Sequence, residues 1–194
     1  QIKLTRLARK LGQEKFSLRA AHYDRTATFP TENYKDLFES GLIGVCIPEP
    51  SGGHGADFKT YMLTAAEIGR YCGATALTFN MHVSSCLWSG HLIDTLDIDG
   101  ADREKHNVSR EIHYKRILNE GAIYAQPFSE GGSAAAGSST FQTIALKVDN
   151  GWIVNGKKIF ASLSGHANYY GTLCTEISEV AGTQDRMNTT YLAI

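Results

Sequence analysis

Apolar residues in the first 120 positions recur every three to four residues, and beyond Gly121 they recur every two. A spacing of three to four marks one face of a helix, and a spacing of two marks one face of a strand. Leu4, Leu7, Ala8 and Leu11 form the first such helical face. Pro30-Thr31 opens a second helix, with Thr31 as the expected N-cap, Glu32 in the first turn, Tyr34, Leu37 and Phe38 inward, and Gly41 as the stop. Asp57 is placed to cap a third, with Phe58, Tyr61, Met62, Ala65, Ile68 and Cys72 inward. The stretch from Ala74 to Ile93 is apolar almost all round, which predicts a helix buried between others. A charged helix over 101–119 should turn Val108, Ile112 and Leu118 inward.

After Gly121 the pattern predicts strands at Phe141–Val148, Asn168–Thr175 and Thr189–Ile194. Asn150-Gly151 and Asn155-Gly156 are hairpin signals, because Asn and Gly accept positive φ, and the short segment between them suggests a tight meander. The predicted fold is α+β: an N-terminal all-α domain over residues 1–120, then a small antiparallel β-barrel or sandwich over 121–194. Without βαβ alternation, a Rossmann nucleotide fold is not expected.

Composition narrows the function classes. Hydrophobic residues at 42% and charged residues at 20% fit an ordinary globular protein. A net charge of -1 leaves no electrostatic footprint for nucleic acid, and the apolar runs are too short to span a bilayer, so neither partner is expected. No basic stretch precedes an apolar one as in a secretory signal. Cys46, Cys72, Cys86 and Cys174 form no Cys-x-x-Cys pair and read as buried reduced thiols, which fits a cytoplasmic location. The chain starts at Gln1 and ends at Ile194 in a strand-like run, and it reads as an excerpt trimmed at both ends.

Several chemistries lack their residues. Ser51-Gly52-Gly53-His54-Gly55 does not follow the P-loop order and reads as an inter-helix turn. No His-Glu-x-x-His pair offers a zinc site, and no Gly-x-Ser-x-Gly elbow offers a nucleophile, so no metal is expected. His82, beside Ser84 and Ser85 in the most apolar helix, reads either as a hydrogen-bonded core residue or as part of a substrate pocket.

Two stretches carry the clearest signal: Ile123-Tyr124-Ala125-Gln126-Pro127-Phe128-Ser129-Glu130-Gly131-Gly132 and Gly151-Trp152-Ile153-Val154-Asn155-Gly156-Lys157-Lys158-Ile159-Phe160-Ala161-Ser162. They resemble the flavin-cradling strands of the acyl-CoA dehydrogenase family, whose usual forms are Thr-Glu-Pro-Gly-Ala-Gly-Ser-Asp and Gly-x-x-x-Asn-Gly-x-Lys-x-Trp-Ile-Thr. The stretch from Gly41 to Asp57, with Ile47-Pro48-Glu49 and the paired Gly52-Gly53, is similar to the family's N-terminal helical domain. The resemblance implies FAD, with Phe128 and Ser129 on one side of the isoalloxazine and Phe160, Ala161 and Ser162 on another. Ser129 and Ser162 stand where the family has Thr, Phe160 where it has Trp, and Ala135-Ala136 where it has Ser-Asp. A second register pairs Gly132-Ser133 with the family's Gly-Ser and brings Pro127, which has no N–H, to the flavin.

By that resemblance the chain is an FAD-dependent acyl-CoA dehydrogenase. It would desaturate an acyl-CoA thioester between its α and β carbons, pass electrons to an electron-transferring flavoprotein or similar acceptor, and assemble as a homo-oligomer, dimer or tetramer. The family's catalytic glutamate lies in a C-terminal four-helix domain that these residues do not contain. No catalytic residue is therefore assigned within 1–194, and these residues alone are expected to be inactive. Two alternatives remain open: a flavin-dependent monooxygenase of the same fold acting on an aromatic or sulfur-containing ring, and a flavin-free interaction module permitted by the loss of the Ser-Asp pair.

Overall fold

The structure, a computed structural model, describes residues 2–87, 93–131, 140–177 and 189–194. The chain divides into two compact units, Gln1–Ile123 and Tyr124–Ile194.

The first unit is helical. Helices α1 (Ile2–Leu11) and α2 (Ser17–Thr26) are joined through a π turn, Gly12–Phe16. At this turn a Cβ at Gly12 would lie 2.0 Å from Cδ2 of Tyr71, so the aromatic ring rests on bare backbone there. The wider turn brings Gly12 and Phe16 inward together, extending the stripe of Leu4, Ala8 and Leu11. Helix α3 (Thr31–Glu39) follows, then α4 (Phe58–Gly69), α5 (Gly73–Leu87) and α6 (Gly100–Glu120). Polar ties set their packing. Arg9 of α1 makes a two-pronged pair with Glu67 of α4, at 2.7 and 3.1 Å. Asp36 of α3 accepts from Lys15 at 2.5 Å and from Arg19 at 2.7 Å. Asn33 of α3 donates to Thr75 of α5 at 2.9 Å.

Several faces differ from the periodic expectation. Thr31 is the first helical residue, not the cap; Pro30 holds the cap position and offers no side-chain hydrogen bond. Asp57 does cap α4, accepting from the Thr60 N–H at 2.8 Å. Phe58 and Met62 are exposed, because the inward face of α4 is rotated toward Thr60, Thr64 and Glu67. Those polar residues can be buried because Thr64 bonds the Thr60 carbonyl and Glu67 holds Arg9. Val108 and Ile112 are likewise exposed; α6 enters the core through Tyr114 and Ile117 near its C-terminal end. Helix α5 is two-sided, with Phe79, His82, Val83 and Cys86 buried and Leu77 exposed. Of the predicted Ala74–Ile93 helix, residues 88–92 lie outside the described residues.

Among the described residues the second unit is a five-stranded sheet of β1 (Tyr124–Ala125), β2 (Ile144–Val148), β3 (Gly151–Asn155), β4 (Tyr169–Ile177) and β5 (Thr189–Ala193). Strands β2 and β3 form a hairpin in which Val148 pairs Gly151, so Asp149 and Asn150 are its loop. The chain then leaves the sheet instead of adding a third meander strand. It returns as β4, which runs parallel to β1 through Tyr169 and Tyr170 and parallel to β2 through Thr175 to Ile177. Strand β5 pairs β4 antiparallel from Gly171 to Thr175. Helices first and strands second is the order the periodicity predicts; the sheet itself is mixed.

Candidate functional site

The two motif stretches meet in the second unit. Pro127–Gly131 follows β1, and Gly156–Ser162 follows β3. The Ile159 N–H donates to the Ser129 carbonyl at 2.9 Å, a direct backbone bond between the two segments. A Cβ on Gly156 would lie 2.4 Å from Oγ1 of Thr143, so the loop after β3 starts in close contact with the entry to β2.

Beneath this bond lies a buried charge. The Glu130 carboxylate accepts from the Gln142 N–H at 2.6 Å, the Thr143 N–H at 2.9 Å, the Thr143 hydroxyl at 2.6 Å and Nζ of Lys158 at 2.6 Å. Lys158 also donates to the Leu173 carbonyl at 2.7 Å, and its ammonium sits 4.4 Å from the Phe141 ring centre. Burial by itself would raise the Glu130 pKa; the Lys158 ammonium, the Thr143 hydroxyl and the two backbone N–H groups outweigh it and hold the carboxyl at about 2. Glu130 is therefore an ion across the physiological range, with both carboxylate oxygens accepting hydrogen bonds.

Above the pair sit the residues singled out from sequence. Phe128 is half-buried, its ring edge-on to Tyr191 at 6.2 Å. Ser129, Ala161 and Ser162 are half-buried, and the Ser162 N–H closes a tight turn onto the Phe160 carbonyl at 3.0 Å. Phe160 has φ of +55°, a left-handed conformation uncommon for a bulky residue, and its side chain is 88% exposed. An aromatic ring held in a strained conformation and presented outward is a feature that folding alone does not favour. The structure thus bonds Ser129 to Ile159, the residue that precedes Phe160, Ala161 and Ser162. Ala135-Ala136 and the second register at Gly132-Ser133 lie outside the described residues.

His82 is placed elsewhere. It is fully buried in α5 of the helical unit, with Nε2 3.0 Å from the Ile43 carbonyl. Burial lowers its pKa to about 4, so it is neutral at pH 7 and Nε2–H is the donor to Ile43. This is the core role, and it ties α5 to the Leu42–Gly44 turn. The four cysteines are buried free thiols, and burial pushes Cys46 up to about 12. Sequence reasoning passed over Glu130 and Lys158 because isolated charges default to the surface. Their position inside the two motif stretches was the available signal.

Comparison with known proteins places these features in context. Residues 1–93 match the acyl-CoA dehydrogenase N-terminal domain. The short-chain specific acyl-CoA dehydrogenase of Clostridium acetobutylicum is 27% identical over 165 residues, 84% of this chain and 40% of its own length. In fold, the chain resembles butyryl-CoA dehydrogenase from Megasphaera elsdenii, with a TM-score of 0.75 at 23% identity over 100% of this chain and 48% of that one. It also resembles the dibenzothiophene monooxygenase TdsC from Paenibacillus sp. A11-2, whose FMN-bound form gives a TM-score of 0.72 at 19% identity over 98% of this chain and 43% of that one. The chain spans about two fifths of the length of the curated relatives it matches.

Proposed function

We propose, for a chain related to the acyl-CoA dehydrogenase family and carrying its fold, that these residues form the helical and β portions of an FAD-dependent acyl-CoA dehydrogenase. The observation that carries this reading is the Ile159–Ser129 backbone bond, which joins the half-buried Ser129 to the loop of exposed Phe160 and half-buried Ser162. That donor set fits a flavin, a flat apolar ring system with a polar edge. Bound flavin would supply a hydride acceptor at N5.

The chain's own part is binding and orientation. Ser129 and Ser162 each offer one hydroxyl proton to the polar edge. Phe160 and Phe128 supply apolar wall, and Ala161 keeps the surface between them low. The buried Glu130 is fully engaged and is not assigned as a base; the base that takes the α-proton is assigned to a carboxylate beyond these residues. An electron-transferring flavoprotein as acceptor and a dimer or tetramer as the assembly belong to the same proposal.

Flavin absorbance of the purified intact protein is the test. Ser129→Ala with Ser162→Ala should weaken flavin retention by about 1 kcal/mol for each lost hydrogen bond, together about 30-fold in Kd. Wild-type retention in the double variant would remove both residues from the assignment, and a colourless wild type that takes up no FAD would favour the flavin-free interaction module. A second reading, flavin-dependent monooxygenase, draws on the fold shared with TdsC. Bleaching by acyl-CoA esters without oxygen supports the dehydrogenase; oxygen uptake by the reduced protein with an aromatic or sulfur-containing ring supports the monooxygenase.

A further inference from the structure

Glu130 and Lys158 lie 2.6 Å apart with side chains 1% and 9% exposed. Neither can reach a ligand: the carboxylate holds four donors, and the ammonium is divided between Glu130 and the Leu173 carbonyl. Each is nevertheless adjacent to the proposed cradle. Glu130 follows Ser129 directly, Lys158 precedes Phe160 by two residues, and Ile159 between them donates to Ser129. The pair also reaches the sheet on two sides, through the entry to β2 at Gln142 and Thr143 and through Leu173 of β4.

We infer that the Glu130–Lys158 pair is a positioning device, which fixes Ser129 against Phe160 and keeps Phe160 left-handed with its ring outward. A buried ion pair is seldom more stable than well-packed apolar residues of the same volume, so its presence calls for a role that apolar packing would not fill. Here the role is direction. Four donors converge on one carboxylate and two acceptors share one ammonium, so each side chain has one placement, and the backbone that carries it follows. A strained residue such as Phe160 persists only where its surroundings over-determine it, and anchors at positions 130 and 158 do so. The ligand in this inference rests on the flavin reading; the geometry does not.

Two variants test it in the intact protein, with Arg9→Met as the control that breaks a more exposed ion pair in the helical unit. Glu130→Leu with Lys158→Met replaces the pair by apolar groups; Glu130→Asp keeps both charges but shortens the reach. Amide hydrogen exchange at Ile159, Kd for FAD by fluorescence quenching, and Tm are measured on each. The expected result is at least ten-fold faster exchange at Ile159 and at least ten-fold weaker FAD binding in both variants, with Arg9→Met changing Tm alone. Wild-type exchange and Kd in a folded variant would overturn the inference. Should the double replacement fail to fold, Glu130→Asp decides alone. Should the wild type bind no FAD, the flavin reading fails by itself, and exchange at Ile159 still decides whether the pair positions the loop.

Discussion

Each unit of this chain buries titratable side chains, and His82 in one and Glu130 in the other are treated in opposite ways. In the helical unit His82 is fully buried and neutral, with its Nε2 on the Ile43 carbonyl. In the β unit Glu130 is sealed and charged, with Lys158 and three further donors around it. The difference follows from the backbone. Helices satisfy their own interior N–H and C=O groups, so the carboxylates buried in the helical unit, Asp36 and Glu67, are tied to the side chains of Lys15, Arg19 and Arg9, whereas Glu130 also takes backbone groups. The sheet leaves gaps. Strand β4 pairs β1 up to Tyr170 and β2 from Thr175, and the Leu173 carbonyl between them goes to Lys158. The N–H groups of Gln142 and Thr143, just before β2, go to Glu130. The charge pair supplies partners for backbone groups that the strands leave unpaired, next to the segments of the proposed site.

The comparison breaks most sharply when each core loses its own kind of contact. Phe79→Ala in the helical unit removes a ring that is 0% exposed and should cost about 3–5 kcal/mol. Lys158→Met removes no comparable volume, yet it strands a buried carboxylate and should cost about the same, roughly 3–5 kcal/mol. The rescue differs. Adding Glu130→Leu to Lys158→Met should recover only the part due to the stranded charge, because the Thr143 N–H and hydroxyl and the Leu173 carbonyl lose their partners, and no second polar change should rescue Phe79→Ala. Urea unfolding of the four proteins decides; a Lys158→Met protein as stable as wild type would show that the pair is not closed to solvent.

Acid separates the two units next. His82 has its folded pKa lowered from 6.5 to about 4 by burial. Its contribution is complete above pH 6.5 and is lost as pH falls toward 4. Glu130 is lowered from 4.5 to about 2, its partners outweighing burial, so its contribution is complete above pH 4.5 and is lost as pH falls toward 2. Each is worth on the order of 3 kcal/mol over its range. At pH 4.5 to 5 the helical unit should therefore have weakened while the β unit has not. Hydrogen exchange followed separately in α5 and at Ile159 checks this; simultaneous acid loss in both, or loss at Ile159 first, would contradict it.

The same contrast explains what was legible in the sequence. Periodicity found α1, the capping of α4 by Asp57 and the strands around Tyr169 and Thr189, because each is a local pattern. It misplaced the inward faces of α4 and α6, where Thr60, Thr64 and Glu67 are buried through partners that no pattern displays and Val108 and Ile112 stay outside. It read a meander where β4 returns parallel to β2, because hairpin signals at Asn150 and Asn155 do not report which strand comes next. The site motifs were legible as a resemblance in Ser129 and Phe160. The pair beneath them was not, since Glu130 and Lys158 stand 28 positions apart and only the fold brings them together.

The smallest effect is also the most diagnostic, because its two readouts should move in opposite directions. Phe160 holds φ at +55°, where a side chain is disfavoured by roughly 1–2 kcal/mol and glycine is not. Phe160→Gly releases that strain but loosens the unfolded chain, leaving a net gain of about 0.5–1 kcal/mol in the stability of the β unit. Because the residue is 88% exposed, little packing is lost to offset the gain. If the ring is part of a flavin wall, FAD retention should fall in the same variant. If it is only a surface residue in an awkward turn, retention should not change. Stability up with retention down is what a site that stores strain for binding produces; both rising, or retention unmoved, would separate Phe160 from the flavin while leaving the Glu130–Lys158 pair to be judged by its own experiment.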